Sequence, residues 1–150
     1  PAGFQLLFTR ETFPTANLRP DLPGDLTLVA LGGMSLEAEE AVLKLFDEEE
    51  IVVDLFLPTC LYPFDVQVFA SSLVKTKRLL VVEEGQGFVS MSSEILAQVA
   101  ESFSHLEIGC ARLVAAANPI PASRPLEEEC LPNTDAIVRK AMEVVGGSSR

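Results

Sequence analysis

At 150 residues with 48% hydrophobic side chains, the chain has the length of one domain and can bury about 70% of its unfolded surface. Eleven basic against twenty-two acidic residues give a net charge of −11. That excludes nucleic acid, whose phosphates need clustered Lys and Arg, and suits a basic protein partner. No apolar run approaches the ~20 residues of a membrane helix, so no membrane is expected as a partner.

The chain opens on Pro1-Ala2-Gly3 without an initiator Met or a secretory leader pattern, which suggests a fragment of a longer cytoplasmic, bacterial protein. Residues 1–24 hold an apolar patch, Phe4 to Phe8, and then Pro14, Pro20 and Pro23. Proline fixes φ and removes a donor, so this stretch is expected to be a meandering linker from an upstream domain. Leu26 to Leu31 reads as a strand buried on both faces, closed by Gly32-Gly33. Ser35 is placed to cap a helix whose apolar face is Ala38, Ala41, Val42, Leu45 and Phe46. Asp47-Glu48-Glu49-Glu50 is its solvated end, although four acids oppose the dipole of a helix C-terminus.

Ile51 to Leu57 is a further strand, stopped by Pro58. Asp65 can cap the next helix, marked by Val66, Phe69, Ala70 and Leu73, with Lys75, Lys77 and Arg78 at its favourable end. The central strand follows: Leu79-Leu80-Val81-Val82, bounded by Lys77-Arg78 and by Glu83-Glu84-Gly85. A helix starts at Ser92 or Ser93, with Ile95, Leu96, Val99, Ala100 and Phe103 on one face. Arg112 to Ala116 is another strand, Asn118 to Pro121 is extended, and Pro132-Asn133 opens a last helix ended by Gly146-Gly147. The domain proper spans 25–145, and 146–150 is a tail. Strands alternating with helices predict a three-layer α/β/α sandwich on a mixed, mostly parallel sheet.

Self-contained chemistry is hard to find in this chain. Gly32-Gly33 invites a phosphate loop, but neither G-x-G-x-x-G nor G-x-x-x-x-G-K-[ST] is present. His105 is the only histidine, no G-x-S-x-G occurs, and the odd, scattered Cys60, Cys110 and Cys130 read as reduced thiols rather than ligands. Glu127-Glu128-Glu129 reads as a solvated run. Glu83 and Glu84 end a strand where open α/β sheets place their sites, but adjacent strand residues face opposite ways. Without a bulge they form no catalytic pair. The alternative is an independent α/β small-ligand-binding domain using the strand ends near Gly32, Glu83 and Gly85.

Leu79-Leu80-Val81-Val82-Glu83-Glu84-Gly85, followed by Glu94-Ile95, resembles the V-V-E-E-G … G-A-E-I segment of the transketolase C-terminal domain family. It is most similar to the β subunit of the thiamine-diphosphate-dependent decarboxylase component of pyruvate and branched-chain 2-oxoisovalerate dehydrogenase complexes. Asp25 to Gly32 is similar to that family's D-V-T-L-V-A-Y-G, and Leu57 to Asp65 stands where it has S-L-x-P-L-D. Arg112, Pro119-x-Pro121, Leu126-Glu127 and Leu131-Pro132 match its closing pattern. Val89 to Ser93, Ala115 to Ala117 and Ala122 depart from it. A further alternative is the same domain of a transketolase or a deoxyxylulose-phosphate synthase.

The resemblance implies a five-stranded sheet with one antiparallel strand and a non-catalytic assembly role. No cofactor is implied within this domain; thiamine diphosphate and magnesium belong to the parent assembly. The implied partners are an upstream pyrimidine-binding domain, an α subunit, a second β subunit and the subunit-binding domain of a lipoyl acyltransferase. Phe103-Ser104-His105-Leu106-Glu107 stands at the family's F-x-x-L-D, which places Glu107 at the docking acid. Glu83, Glu84 and Gly85 are implied to meet a neighbouring subunit or domain.

Overall fold

Consecutive aliphatics leave no polar side for water, so such strands need a helical layer on each face of their sheet. The computed structural model describes residues 3–147 and shows both layers. In chain order the elements are β1 (Phe4–Phe8), β2 (Ala16–Pro20), β3 (Leu26–Ala30), α1 (Ser35–Glu49), β4 (Val53–Leu57), α2 (Ala70–Thr76), β5 (Arg78–Gln86), α3 (Met91–Ser102), β6 (Gly109–Ala115), α4 (Arg124–Cys130) and α5 (Thr134–Gly146). Short 3-10 turns, Gly32–Met34 and Val66–Phe69, lead into α1 and α2. None of these helices is long and apolar enough to cross a membrane.

The sheet order is β1-β2-β4-β3-β5-β6. Strands β3 to β6 run parallel, β2 lies antiparallel on β4, and β1 antiparallel on β2. The period of two along each strand sorts the side chains. Leu26, Leu28, Leu55, Leu80 and Val82 meet Ala38, Ala41, Val42 and Leu45 of α1 and Ile137 and Ala141 of α5. Val29, Phe56, Leu79 and Val81 meet Phe69 of the second 3-10 turn, Leu73 of α2, and Ile95 and Val99 of α3. β5 lies between β3 and β6, and its Leu79 to Val82 are wholly buried.

One polar patch is sealed under α2. Ser72 Oγ donates to the buried Asp54 carboxylate at 2.6 Å and sits 2.8 Å from Thr27 Oγ1, which lies 2.8 Å from Thr76 Oγ1. A hydroxyl has one proton, so Ser72, donating to Asp54, must accept from Thr27. No buried side-chain polar atom among the described residues is left without a partner.

The mixed, mostly parallel α/β sheet matches the sequence reading, with six strands where five were expected. Four of the six were placed by residue, and the other two come from the stretch taken as a linker: residues 4–8 and 16–20 are strands, and Asn17 Nδ2 reaches Leu55 O at 3.0 Å. Pro14 lies in the hairpin turn and Pro20 at the strand end, positions where a missing donor is harmless. Asn133 caps α5 as expected, and Asp65 caps the 3-10 turn that leads into α2 rather than α2 itself. Ser35 caps nothing; it is the first residue of α1, entered through the 3-10 turn. α3 begins at Met91 with Ser90 as its cap. The run Glu127–Glu129 is helical, in the short α4, which has no buried residue. Of the expected tail, Gly146 ends α5 and Gly147 caps it, while 148–150 lie outside the described residues, as do Pro1 and Ala2.

Stability should therefore centre on β5. Leu80→Ala is expected to lower it by about 2–5 kcal/mol in urea denaturation. Leu6→Ala, on the exposed outer strand, should change it by no more than about 0.5 kcal/mol.

Candidate functional site

The central strand loses regular pairing at its carboxyl end. Val82 pairs with Leu113, but the next pair is Gln86 with Ala115, so three residues oppose one. The sequence reading required such an irregularity before Glu83 and Glu84 could act together. Even so, the two carboxylates part. Glu83 is buried and turns toward the start of α3, where its Oε1 accepts from Ser92 Oγ at 2.5 Å and from Ser92 N at 3.2 Å. Ser90 Oγ accepts from Ser93 N at 3.3 Å. Between them these two side chains satisfy two of the amide donors a helix start leaves open, and the negative charge sits where the dipole favours it. Glu83 is thus a structural acid.

Glu84 is exposed and lies over the Gly32-Gly33 turn. Gly32 has φ +59°, and a Cβ added at Gly33 would stand 2.6 Å from Glu84 Oε2. A carboxylate held there repels the phosphate that a glycine turn would otherwise cradle. Gly85 is exposed beside it.

The loop that follows is pinned at both sides. Gly87 O accepts from Arg112 Nη1 at 2.5 Å and from Ser93 Oγ at 3.2 Å. Gln86 Nε2 donates to Asn118 O at 2.9 Å. Between these anchors Val89 takes φ +52°, a conformation that β-branched residues resist, and Phe88 is 91% exposed. Tyr62, in the loop after β4, is 93% exposed at the same end. Sequence reasoning singled out Arg112 only as a motif match and passed over Phe88. An aromatic followed by Val inside a Gly/Ser loop was the available signal.

Glu107 lies elsewhere, at the amino end of the sheet. From Arg78, which starts β5, to Glu84 is six residues, roughly 20 Å at ~3.3 Å each. Glu107 is exposed and lines a groove of about 740 Å³ with Lys75, Lys77 and Arg78. The structure therefore does not bring Glu107 together with Glu83, Glu84 and Gly85.

His105 is exposed in the turn after α3. Partial desolvation pushes the thiol of Cys110 up although the residue is exposed, the opposite of what a nucleophile needs. No three His, Cys, Asp or Glu side chains among the described residues cluster as metal ligands. What the carboxyl end offers is a shaped, partly apolar surface rather than converging reactive groups.

Glu83→Ala should cost about 1–3 kcal/mol, measured by urea denaturation, because it strips buried Ser92 of its acceptor. Glu84→Ala should stay within about 0.5 kcal/mol. Equal effects of the two would contradict this division of roles.

Residues 16–137 match the family model described as the transketolase C-terminal domain. The chain is 35% identical over 123 residues to the β subunit of acetoin:2,6-dichlorophenolindophenol oxidoreductase of Bacillus subtilis (strain 168), covering 81% of this chain and 36% of that protein. It is 36% identical over 117 residues to the mitochondrial pyruvate dehydrogenase E1 component subunit beta of Chaetomium thermophilum, covering 75% and 30%. It thus spans about a third of these relatives. A split-gene transketolase, solved as an inactive β4 tetramer, shares the fold with a TM-score of 0.70 at 22% identity, over 87% of this chain and 41% of that one. By this match over most of its length, the chain belongs to the transketolase C-terminal domain family.

Proposed function

We propose that this chain is the assembly domain of the β subunit of a two-subunit oxidoreductase that acts on a small 2-oxo acid or on acetoin. The observation that carries the reading is the match of residues 16–137 to a family whose similar members are β subunits of such enzymes. The site geometry supports it, because Glu83 is engaged in capping α3 and Glu84 guards a turn that a phosphate would need. In this reading thiamine diphosphate and magnesium belong to the parent assembly and not to this domain. The carboxyl end, with Glu84, Gly85 and Phe88, faces the upstream pyrimidine-binding domain or the α subunit. Pyruvate and acetoin are named by the relatives, and neither relative's name carries 2-oxoisovalerate. Three free cysteines fit a reducing compartment such as the cytoplasm.

The test is ligand-dependent stability. Millimolar thiamine diphosphate with magnesium should leave the melting temperature of this chain unchanged, whereas a binder of the folded state raises it. A clear rise would overturn the reading, as would turnover of pyruvate by the chain alone.

Glu107 carries the finer proposal that the domain docks the subunit-binding domain of a lipoyl acyltransferase. Glu107→Lys should weaken that complex about five- to tenfold by titration calorimetry, or roughly 1–1.4 kcal/mol. Unchanged affinity would remove Glu107 from the docking surface. Lys75, Lys77 and Arg78 around it make a basic partner costlier there, which makes this the sharper of the two tests.

A further inference from the structure

The outermost strand of a sheet leaves half of its backbone groups without a ladder partner. β6 is such a strand: it pairs with β5, and among the described residues no strand lies beyond it. Gly109 N donates to Lys77 O, just before β5, at 2.9 Å, so the backbone groups of Gly109 face β5. That direction alternates along a strand, which turns the N–H and C=O of Cys110, Arg112 and Val114 outward. None of these six groups takes part in a turn, loop or side-chain hydrogen bond among the described residues. Sheet edges are ordinarily blunted by shortness, lysine, proline or a bulge. β6 runs for seven residues without a proline, and its one charge, Arg112, is turned back to Gly87 O and Ser93 Oγ.

A groove of about 350 Å³ runs beside this edge, where Arg139, Lys140 and Glu143 of α5 stand across from Arg112 to Val114. Arg139 is exposed and forms no hydrogen bond or ion pair among the described residues. Lys140 pairs with Glu143 at 2.8 Å. Three basic side chains around one acid make a positive wall in a chain whose net charge is −11. The two faces of the strand differ. Leu113 packs toward the core of α1 and α5, and the period of two puts Cys110, Arg112 and Val114 on the other face. There Val114 is only half-buried. Anything lying along β6 therefore meets cations over one face and an aliphatic side chain on the other.

We infer that β6 is a docking edge for an extended acidic segment of another protein, which adds to the sheet as a seventh strand. Main-chain hydrogen bonds to Cys110, Arg112 and Val114 hold it, and alternate side chains decide which segment fits. Its acids project over α5 toward Arg139 and Lys140, and the aliphatic side chains between them lie beside Val114. A basic segment could make the same main-chain bonds but would meet repulsion from the α5 wall. The inference goes beyond the assembly reading and does not rest on it, since that reading uses the carboxyl end, Glu107 and the family match.

Fluorescence anisotropy on the whole chain tests it, with a labelled peptide of about eight residues that alternates glutamate and valine. A Kd of about 10–300 µM is expected at about 50 mM salt, weakening at least about fivefold at about 500 mM, where the Debye length is a few ångströms. Arg139→Glu with Lys140→Glu should weaken binding at least about tenfold and let the matching lysine–valine peptide bind instead. Methylating every amide nitrogen of the glutamate peptide keeps its side chains, removes its donors, and should abolish binding. Hydrogen exchange reads the site directly: with peptide bound, the amides of Cys110, Arg112 and Val114 should exchange at least about tenfold more slowly. The peptide and exchange measurements need no substitution, and circular dichroism melts check that the double variant is folded. Absence of binding up to about 1 mM peptide overturns the inference. So does binding that survives the charge reversal or the methylation, or protection that falls on Phe4–Phe8 of β1 instead of β6.

Discussion

A strand hidden on both faces is the constraint from which the rest of this structure follows. Leu79 to Val82 of β5 expose nothing to water, so helices must lie on either side, and the chain must cross the sheet repeatedly to supply them. At ~25 cal/mol per Å², each of these side chains stabilises the fold by about 1.5–3 kcal/mol relative to exposure. No surface interaction approaches that sum. The Lys44–Asp135 pair ties α1 to α5 across an exposed gap, where solvent screens it. Packing against β5 therefore decides the architecture, and the surface is left to other tasks.

The carboxyl ends of β3 and β5 are where an open α/β sheet would hold a ligand. Here the same residues have been turned to architecture. Glu83 meets the start of α3, and a buried carboxylate is tolerated only because Ser92 donates to it twice. Glu84 lies over the glycines that a phosphate would approach. At that edge one glutamate is committed to the start of α3 and the other stands beside the glycine turn, in a chain that spans about a third of its relatives' length.

The parts legible in the sequence were those set by runs of one residue class. The aliphatic runs of β3, β4 and β5 announced a parallel sheet, and Asp65 and Asn133 announced helix starts, because both signals are local. The hairpin of β1 and β2 was obscured by three prolines, and only strand pairing shows that Pro14 and Pro20 fall where no donor is needed. Glu83 as a cap depends on where α3 begins relative to a bulge, which no local pattern fixes. The surroundings of Glu107 were hidden for a similar reason. Arg78 pairs with Gly109 in the β5–β6 register, so Lys77 and Arg78 arrive beside Glu107 from thirty residues away in sequence. Motif matching found the acid and could not see the cations around it.

The two ends of the sandwich have opposite character, and the backbone shows which features are held in place. At the carboxyl end Val89 sits at φ +52°, a conformation costing an L-residue with a Cβ roughly 1–2 kcal/mol. It persists because Arg112 and Ser93 hold Gly87 O on one side and Ser90 enters the cap of α3 on the other. That restraint keeps Phe88 projected into solvent instead of folded back on the core. The ring stands clear of the core on a backbone held away from the conformation its neighbour Val89 prefers. At the amino end Lys77 and Glu50, the caps of α2 and α1, are both in the left-handed region and both exposed. An apolar contact gains from excluding water and a charged one from matching signs.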